Sequence, residues 1–273
     1  MASISLNPLV SIITTVRNGV KYLEPCIQSV FNQTYLNIEH IFIDGASTDG
    51  TLVILEKYSS MYPGRIRYIS EPDKMVGEAW NKGLSMSKGE ILGWLGADDT
   101  YEPGAVKTVV DFFQDNREAF FVFGECNTIN EEGNFIKKLK SKEFNLKEAI
   151  NDACYISTPA AFYRKELVEK VGAFDTTIHG CDLDYWIRAG KIFKMHRIDK
   201  VLANFRLHSE SNTGAKGADK MNALEGYIIL RRYGGKYFSP RMLYYLIYGN
   251  PVTSRMAPAL KPIWHAVRKI TGM

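Results

Sequence analysis

The chain has 273 residues, 45% apolar and 23% charged, with a formal net charge of +4, an ordinary globular composition long enough for one large domain with or without an appendage. Cys26, Cys126, Cys154 and Cys181 are widely separated and form no Cys-x-x-Cys pair, which argues against a zinc site or a disulfide framework and fits a reducing cytoplasm. No run approaches the ~18 apolar residues of a spanning helix, and the first residues lack the basic and then apolar pattern of a secretory signal.

Residues 9–15 are a β-branched run that stops at Arg17-Asn18-Gly19, so a strand opens the fold. Leu23, Cys26, Ile27, Val30 and Phe31 recur at helical spacing. Residues 38–43 read as the second strand, after which Ser47, Thr48 or Asp49 can cap a helix containing Leu52 and Leu55. Residues 66–69 give a third strand and residues 77–87 a third helix. Residues 91–95, between Gly89 and Gly96, suit a strand covered on both faces. This β-α-β rhythm predicts a mostly parallel, doubly wound α/β sheet.

Val106, Val109, Val110 and Phe113 mark a further helix, and residues 120–123 a fifth strand. Asn130-Glu-Glu-Gly-Asn134 then predicts a hairpin and an antiparallel part. Residues 157–163 read as a strand, 165–171 and 182–188 as helices, and 200–207 as a returning strand. From residue 219 only helices are expected: one to about 233, one over 240–248 and one near 262–270. The expected organisation is a catalytic body over residues 1–218, with halves of about 8–125 and 126–218, and a helical extension over 219–273.

Asp44, Asp73 and the Asp98-Asp99 pair all follow expected strands of one sheet, so they should line the edge where open α/β sheets bind ligands. Adjacent carboxylates repel unless a cation or a proton intervenes, which suits a hard divalent metal. The alternative is structural: Asp98, Asp99 or Thr100 caps the helix opened by Pro103, and the other acids are turn residues.

The motifs Val10-Ser-Ile-Ile-Thr-Thr15 with Asn18, Ile43-Asp-Gly-Ala-Ser-Thr-Asp-Gly50, Glu71-Pro-Asp73, Asn81-Lys-Gly83 and Gly96-Ala-Asp-Asp99 together resemble the family 2 glycosyltransferases, over roughly residues 8–210. The resemblance implies a GT-A-type fold, a nucleotide-sugar donor and Mg2+ or Mn2+. It implies that Thr15, Asn18 and Asp44 border the donor with Asp73 beside them, and that Asp98 and Asp99 serve metal and ribose. Gly96 departs from the pattern, standing where many relatives have Asp or Asn. Asp182 matches the family's base position, the alternative being that it merely caps its helix, Cys181 stands where relatives often have Glu, and Asp184 projects to another face of its helix. Arg206 and His208 share one face of the returning strand, and in the family such residues approach diphosphate or metal.

The resemblance further implies inverting transfer of one sugar, by expectation from a UDP donor, to a saccharide or lipid-linked saccharide in surface polysaccharide or lipopolysaccharide synthesis. No Gln-x-x-Arg-Trp segment suggests a processive synthase. A nucleotidyltransferase would carry a Gly-rich, Arg-containing loop after the first strand, whereas residues 14–19 hold one Gly. A non-catalytic nucleotide-sugar-binding protein is the other alternative, motivated by Gly96 and Cys181. Beyond Glu225 the chain has eight Lys and Arg and no Asp or Glu, interleaved with aromatic residues. This composition predicts a peripheral contact with an anionic membrane surface rather than nucleic acid, the alternative being that the aromatic face packs on the catalytic body.

Overall fold

The computed structural model describes residues 4–209, 211, 218–250, 262 and 266. In chain order the first half runs β1 (Val10–Val16), α1 (Leu23–Phe31), β2 (Ile38–Asp44), α2 (Thr51–Met61), β3 (Ile66–Ser70), α3 (Val76–Met86) and β4 (Ile91–Trp94). The four strands are parallel in the order β3-β2-β1-β4. Every residue of β2 and β4 is buried, as expected of strands covered by helices on both faces.

The second half runs β5 (Thr100–Tyr101), α4 (Ala105–Asp115), β6 (Phe121–Ile129), β7 (Phe135–Lys138), α5 (Leu146–Asn151), a 3-10 turn (Thr158–Ala160), β8 (Ala161–Arg164), α6 (Lys165–Val171), α7 (Cys181–Ile192) and β9 (Met195–Arg206). The sheet continues β4-β8-β6-β9-β5, with β7 beside β6. Pairing turns antiparallel at β4/β8, β8/β6, β6/β7 and β9/β5, while β6 and β9 remain parallel. The expected hairpin forms at Asn130 and Asn134, with Gly133 in the left-handed region at φ 89°.

Three local expectations change. Residues 157–160 are not strand: Pro159 donates no ladder hydrogen bond, and Ala160 N instead closes a turn on Ser157 O at 2.9 Å. The acidic pair does not cap α4, whose cap position is Gly104 at φ 76°, because Thr100 and Tyr101 pair with Asn204 and Ala203 as β5. The short α5, capped by the Asn145 side chain on Glu148 N, had no clear apolar period to announce it.

α8 (Ala218–Arg232), α9 (Pro240–Tyr244) and a π-helical turn (Tyr245–Gly249) follow. The expected continuous helix over 240–248 thus changes its winding at Tyr245, and the helix expected near 262–270 lies largely outside the described residues. Ile229 of α8 sits in one buried cluster with Tyr163, Tyr185 and Trp186, and Asp184 of α7 receives Arg232 Nη1 at 2.8 Å and the Tyr233 hydroxyl at 2.6 Å. Fully burying one such aliphatic side chain contributes about 1.5–3 kcal/mol. Here the apolar contact and a buried carboxylate together hold α8 on the body. Among the described residues no helix is long and apolar enough to cross a membrane.

Candidate active site

The ends of β1, β2 and β3 are tied into one loop network. Asp44 is fully buried at the end of β2, opposite Val16 and Ser70. Its carboxylate accepts from Ser47 N at 3.0 Å, from Ser70 Oγ at 2.6 Å and from Ser47 Oγ. Asn18, in the left-handed region at φ 53°, donates its N–H to Ser47 Oγ at 2.7 Å and accepts from Thr48 N at 2.9 Å. Asp49 accepts from Thr51 N and Val20 N, both at 3.0 Å, so it serves the start of α2 while tying down the loop after β1. Thr15 is half-buried beside Ile43. Asp73 pairs with Lys82 of α3, which also reaches Glu71 at 2.7 Å.

The acidic pair lies where β4 gives way to β5. Asp99 is 3% exposed and its Oδ1 accepts from the Arg206 backbone N–H at 2.9 Å. Burial, and next the adjacent Asp98 charge, push the Asp99 carboxyl well above the usual carboxylate range, although the Arg206 amide and charge oppose this. Asp98 is more open, and its Oδ2 lies 2.9 Å from His208 Nε2. Arg206 is itself buried: Nε donates to Asp98 O at 2.8 Å, and Nη1 donates to Asn130 O and Glu131 O at 3.0 and 2.8 Å. Its guanidinium also lies over the Tyr22 ring, which the His208 ring approaches at a centroid distance of 4.8 Å.

These groups suit a hard divalent cation. A carboxyl raised by burial and by its neighbour's charge is relieved by positive charge, and carboxylate oxygens are the ligands that suit Mg2+ or Mn2+. Among the described residues no three His, Cys, Asp or Glu side chains gather closely enough to form a cage. That matches the habit of Mg2+, which takes one or two carboxylates and completes its shell with substrate phosphates and water. Gly96 also has a steric reason to be glycine. A Cβ there would stand 2.7 Å from both Asp98 Oδ1 and Asp99 Oδ2.

Asp182 is the second residue of α7, after Cys181, with Gly180 at the cap position. Its Oδ1 accepts from Leu183 N at 2.8 Å and its Oδ2 accepts from the Thr158 hydroxyl at 2.9 Å, so the carboxylate is oriented from both sides. It lines a cavity of about 580 Å3 that Asp152, Trp186 and Arg241 also line. Cys181 is fully buried and burial pushes its thiol up. Asp184, two residues on, accepts from Arg188 Nε at 2.7 Å and from α8, an anchor rather than a reacting group.

The fold therefore brings Asp98, Asp99, Arg206 and His208 into contact, and ties Asn18 to Asp44 through Ser47. Asp73 and Thr15 lie at the same strand edge in separate contacts, and Asp182 belongs to the cavity side. Sequence reading missed Tyr22, Ser47, Ser70, Lys82, Thr158 and Arg241 as site residues. Lys82 and Ser47 lie within motifs of the sequence, Asn81-Lys-Gly83 and Ile43-Asp-Gly-Ala-Ser-Thr-Asp-Gly50, whereas the other four are ordinary residue types whose position only the fold supplies.

Comparison with known proteins agrees with this geometry. The family model "Glycosyl transferase family 2" matches residues 11–172. The chain is 30% identical over 218 residues to a chondroitin synthase of Escherichia coli, covering 80% of this chain and 32% of that protein. It is 29% identical over 219 residues to an uncharacterized glycosyltransferase of Rickettsia conorii, covering 75% and 35%. The chain thus spans about a third of the length of these two curated relatives. Its fold is similar to S. aureus TarS 1-349 in complex with UDP-GlcNAc, with a TM-score of 0.66 at 17% identity over 92% of this chain and 79% of that one. It is also similar to the mannosyltransferase PcManGT of Pyrobaculum calidifontis in complex with GDP-Man and Mn2+, with a TM-score of 0.67 at 18% identity over 97% and 78%. The curled, mostly parallel sheet with its antiparallel part is the GT-A type, and the chain belongs to the family 2 glycosyltransferases.

Proposed function

We propose that this glycosyltransferase moves one sugar from a nucleotide sugar, UDP-linked by preference, to a saccharide hydroxyl with inversion, in the synthesis of a polysaccharide or lipopolysaccharide. The observation that carries the reading is the β5–β9 pairing, which sets Arg206 and His208 against Asp98 and Asp99. UDP-GlcNAc in TarS and GDP-Man with Mn2+ in PcManGT support the donor class and the metal. The chondroitin synthase relatives support the polysaccharide product.

Asp98, with His208 and Asp99 beside it, would hold Mg2+ or Mn2+. When bound, such an ion offsets the negative charge that grows on a nucleoside diphosphate leaving group. Arg206 holds this centre: its amide fixes Asp99, its Nε fixes the Asp98 carbonyl, and the carbonyls of the 130–131 turn hold its other end. Its role is to position rather than to donate freely to phosphate. The Asn18, Ser47 and Asp44 network sets the loop against which the base and ribose lie, with Thr15 and Asp73 flanking it.

Asp182 takes the proton of the acceptor hydroxyl. One displacement with inversion needs one base, and the Thr158 hydroxyl and Leu183 amide hold this carboxylate in a fixed orientation. The exposed face of the α8–α9 connection docks the enzyme peripherally on an anionic, cytoplasmic membrane surface. Phe238 is fully exposed and Tyr237 is 65% exposed beneath the Arg231 guanidinium, a mixture suited to the headgroup level.

The test is incubation with a panel of UDP- and GDP-sugars, with and without Mn2+, scored for nucleoside diphosphate release and sugar transfer. Metal-dependent release from at least one UDP-sugar is expected. Tight UDP binding without release from any donor would favour a non-catalytic binding protein, and pyrophosphate formation would favour a nucleotidyltransferase.

A further inference from the structure

We propose that Tyr22 is a positioning residue of the metal centre, whose ring holds Arg206 and His208 in place against Asp98. This rests on the reading of Asp98, Asp99 and His208 as the place where Mg2+ or Mn2+ sits. Tyr22 itself stands at the start of α1, remote in sequence from all of them.

Tyr22 occupies the cap position of α1 and its side chain makes no cap there. Ser, Thr, Asp or Asn would serve the helix better, so the use of this side chain lies elsewhere. Tyr22 is 8% exposed, and its ring meets three charged or polar side chains. The Arg206 guanidinium lies 5.0 Å from the ring centroid, the His208 imidazole 4.8 Å away and tilted by 45°, and Lys21 Nζ 4.9 Å away. The first two belong to the metal centre.

Each contact supplies what the hydrogen bonds do not. Arg206 donates in the plane of its guanidinium to Asp98 O, Asn130 O and Glu131 O, and a π-face fixes that plane from the remaining direction. His208 lies past the end of β9, and its Nε2 contact with Asp98 Oδ2 leaves the imidazole able to turn about that contact. The Tyr22 ring stands against it and sets its plane. The ring is in turn fixed from the donor side. Tyr22 N donates to Gly19 O at 3.1 Å, Gly19 N donates to Thr51 Oγ1 at 2.9 Å, and a Cβ at Gly19 would stand 2.6 Å from Val16 Cγ2. The Tyr22 hydroxyl reaches Glu131 Oε2 at 3.3 Å, where Lys21 Nζ lies at 2.6 Å, on the turn whose carbonyls hold Arg206. Tyr22 thereby joins the loop after β1 to the metal centre.

The test titrates Mn2+ into the full chain at a fixed UDP concentration and measures free Mn2+ by electron paramagnetic resonance, so turnover is not read. Tyr22→Leu and Tyr22→Met keep apolar bulk but lose the π-face, and each should weaken Mn2+ binding about tenfold. Tyr22→Phe keeps the face and gives up only the long bond to Glu131, so its Mn2+ affinity should stay within about twofold of the parent's. UDP affinity without metal should be unchanged in every variant, which also certifies the fold. The proposal falls if the Tyr22→Leu and Tyr22→Met variants bind Mn2+ like the parent, or if Tyr22→Phe loses as much as Tyr22→Leu. It falls too if UDP binding without metal weakens as much as Mn2+ binding, because the ring then only packs the loop. A parent that binds no Mn2+ would remove the metal reading and this role with it, whereas parental Mn2+ binding in the Tyr22→Leu and Tyr22→Met variants would remove the role alone.

Discussion

His208 Nε2 lies 2.9 Å from Asp98 Oδ2 although 110 residues of chain separate them. The contact exists because a two-residue strand directly after the acidic pair adds to β9, whose end delivers Arg206 and then His208. Replacing Asp98 with Asn removes a charge without changing size. At a side chain 28% exposed it should leave the melting temperature nearly unchanged while lowering turnover at least about 100-fold, the loss expected when several kcal/mol of leaving-group stabilisation is removed. Initial rates across a Mn2+ titration decide it, and parental rates at saturating Mn2+ would remove the metal assignment.

Asp99→Asn should behave differently. The amide oxygen can still accept from Arg206 N, and the like-charge penalty from Asp98 disappears, so thermal stability should hold or rise. Metal-stimulated transfer should nevertheless be lost. Calorimetry beside a transfer assay reads both, and full activity would show that the buried acid serves packing alone.

Gly96→Ala tests the steric reading of the departure from the family pattern. The new Cβ would stand 2.7 Å from both carboxylates, so the pair must shift. A cost of about 1–3 kcal/mol in stability and weaker Mn2+ binding are expected. Unchanged affinity and melting temperature would mean that the loop yields freely.

At Asp182 the substitution to Asn keeps one oxygen to accept from Leu183 N, while its NH2 can donate to the Thr158 hydroxyl oxygen with the direction of that bond reversed, so α7 should start as before. Turnover should fall about 10²–10⁴-fold, the usual worth of a general base, with donor affinity preserved. Normal turnover in single-turnover kinetics would leave the residue a structural role only.

His40, fully buried on β2, accepts or donates only at Nε2, 2.9 Å from Thr14 Oγ1, and burial lowers its pKa from 6.5 to about 3. Below about pH 6.5 the unfolded chain binds a proton there that the folded chain refuses, so this contribution is complete above the unfolded value and is lost as pH falls toward the folded one. Between about pH 7 and about pH 5 the loss should be ~2 kcal/mol. Urea melts of the parent and His40→Gln should show a shallower acid slope in the variant, and parallel slopes would refute the assignment.

For the membrane contact, point changes are cleaner than truncation, because a chain ending near Lys236 would lose Arg241 and Tyr244 from the cavity wall. Phe238→Ser with Lys236→Gln should abolish salt-sensitive cosedimentation with anionic vesicles, each Lys or Arg near such a surface being worth about 1 kcal/mol. Equal failure of parent and variant to cosediment at low salt would reject the docking surface.

The sequence alone determined the alternating half of the molecule. β-branched runs and helical apolar spacing are local signals, and in β1 to β4 each element reports its own burial, so strand ends, helix faces and the acids beyond Ile43 and Leu95 could be read directly. The same locality explains the agreement at the 130–134 hairpin and at α6.

Only the tertiary structure decided what those acids touch. Asp98 meets His208 through the β5–β9 pairing, and two residues, Thr100 and Tyr101, are too few to carry a strand signal. Asp44 turns out to hold the Ser47 loop, and Arg206 has its guanidinium taken by carbonyls, because hydrogen-bond partners distant in sequence leave no periodic trace. The basic, aromatic tail shows the limit from the other side. Its composition looked detachable, yet Ile229 enters the core and Arg232 and Tyr233 satisfy the buried Asp184, since a charge taken out of water needs partners that only the folded chain can bring.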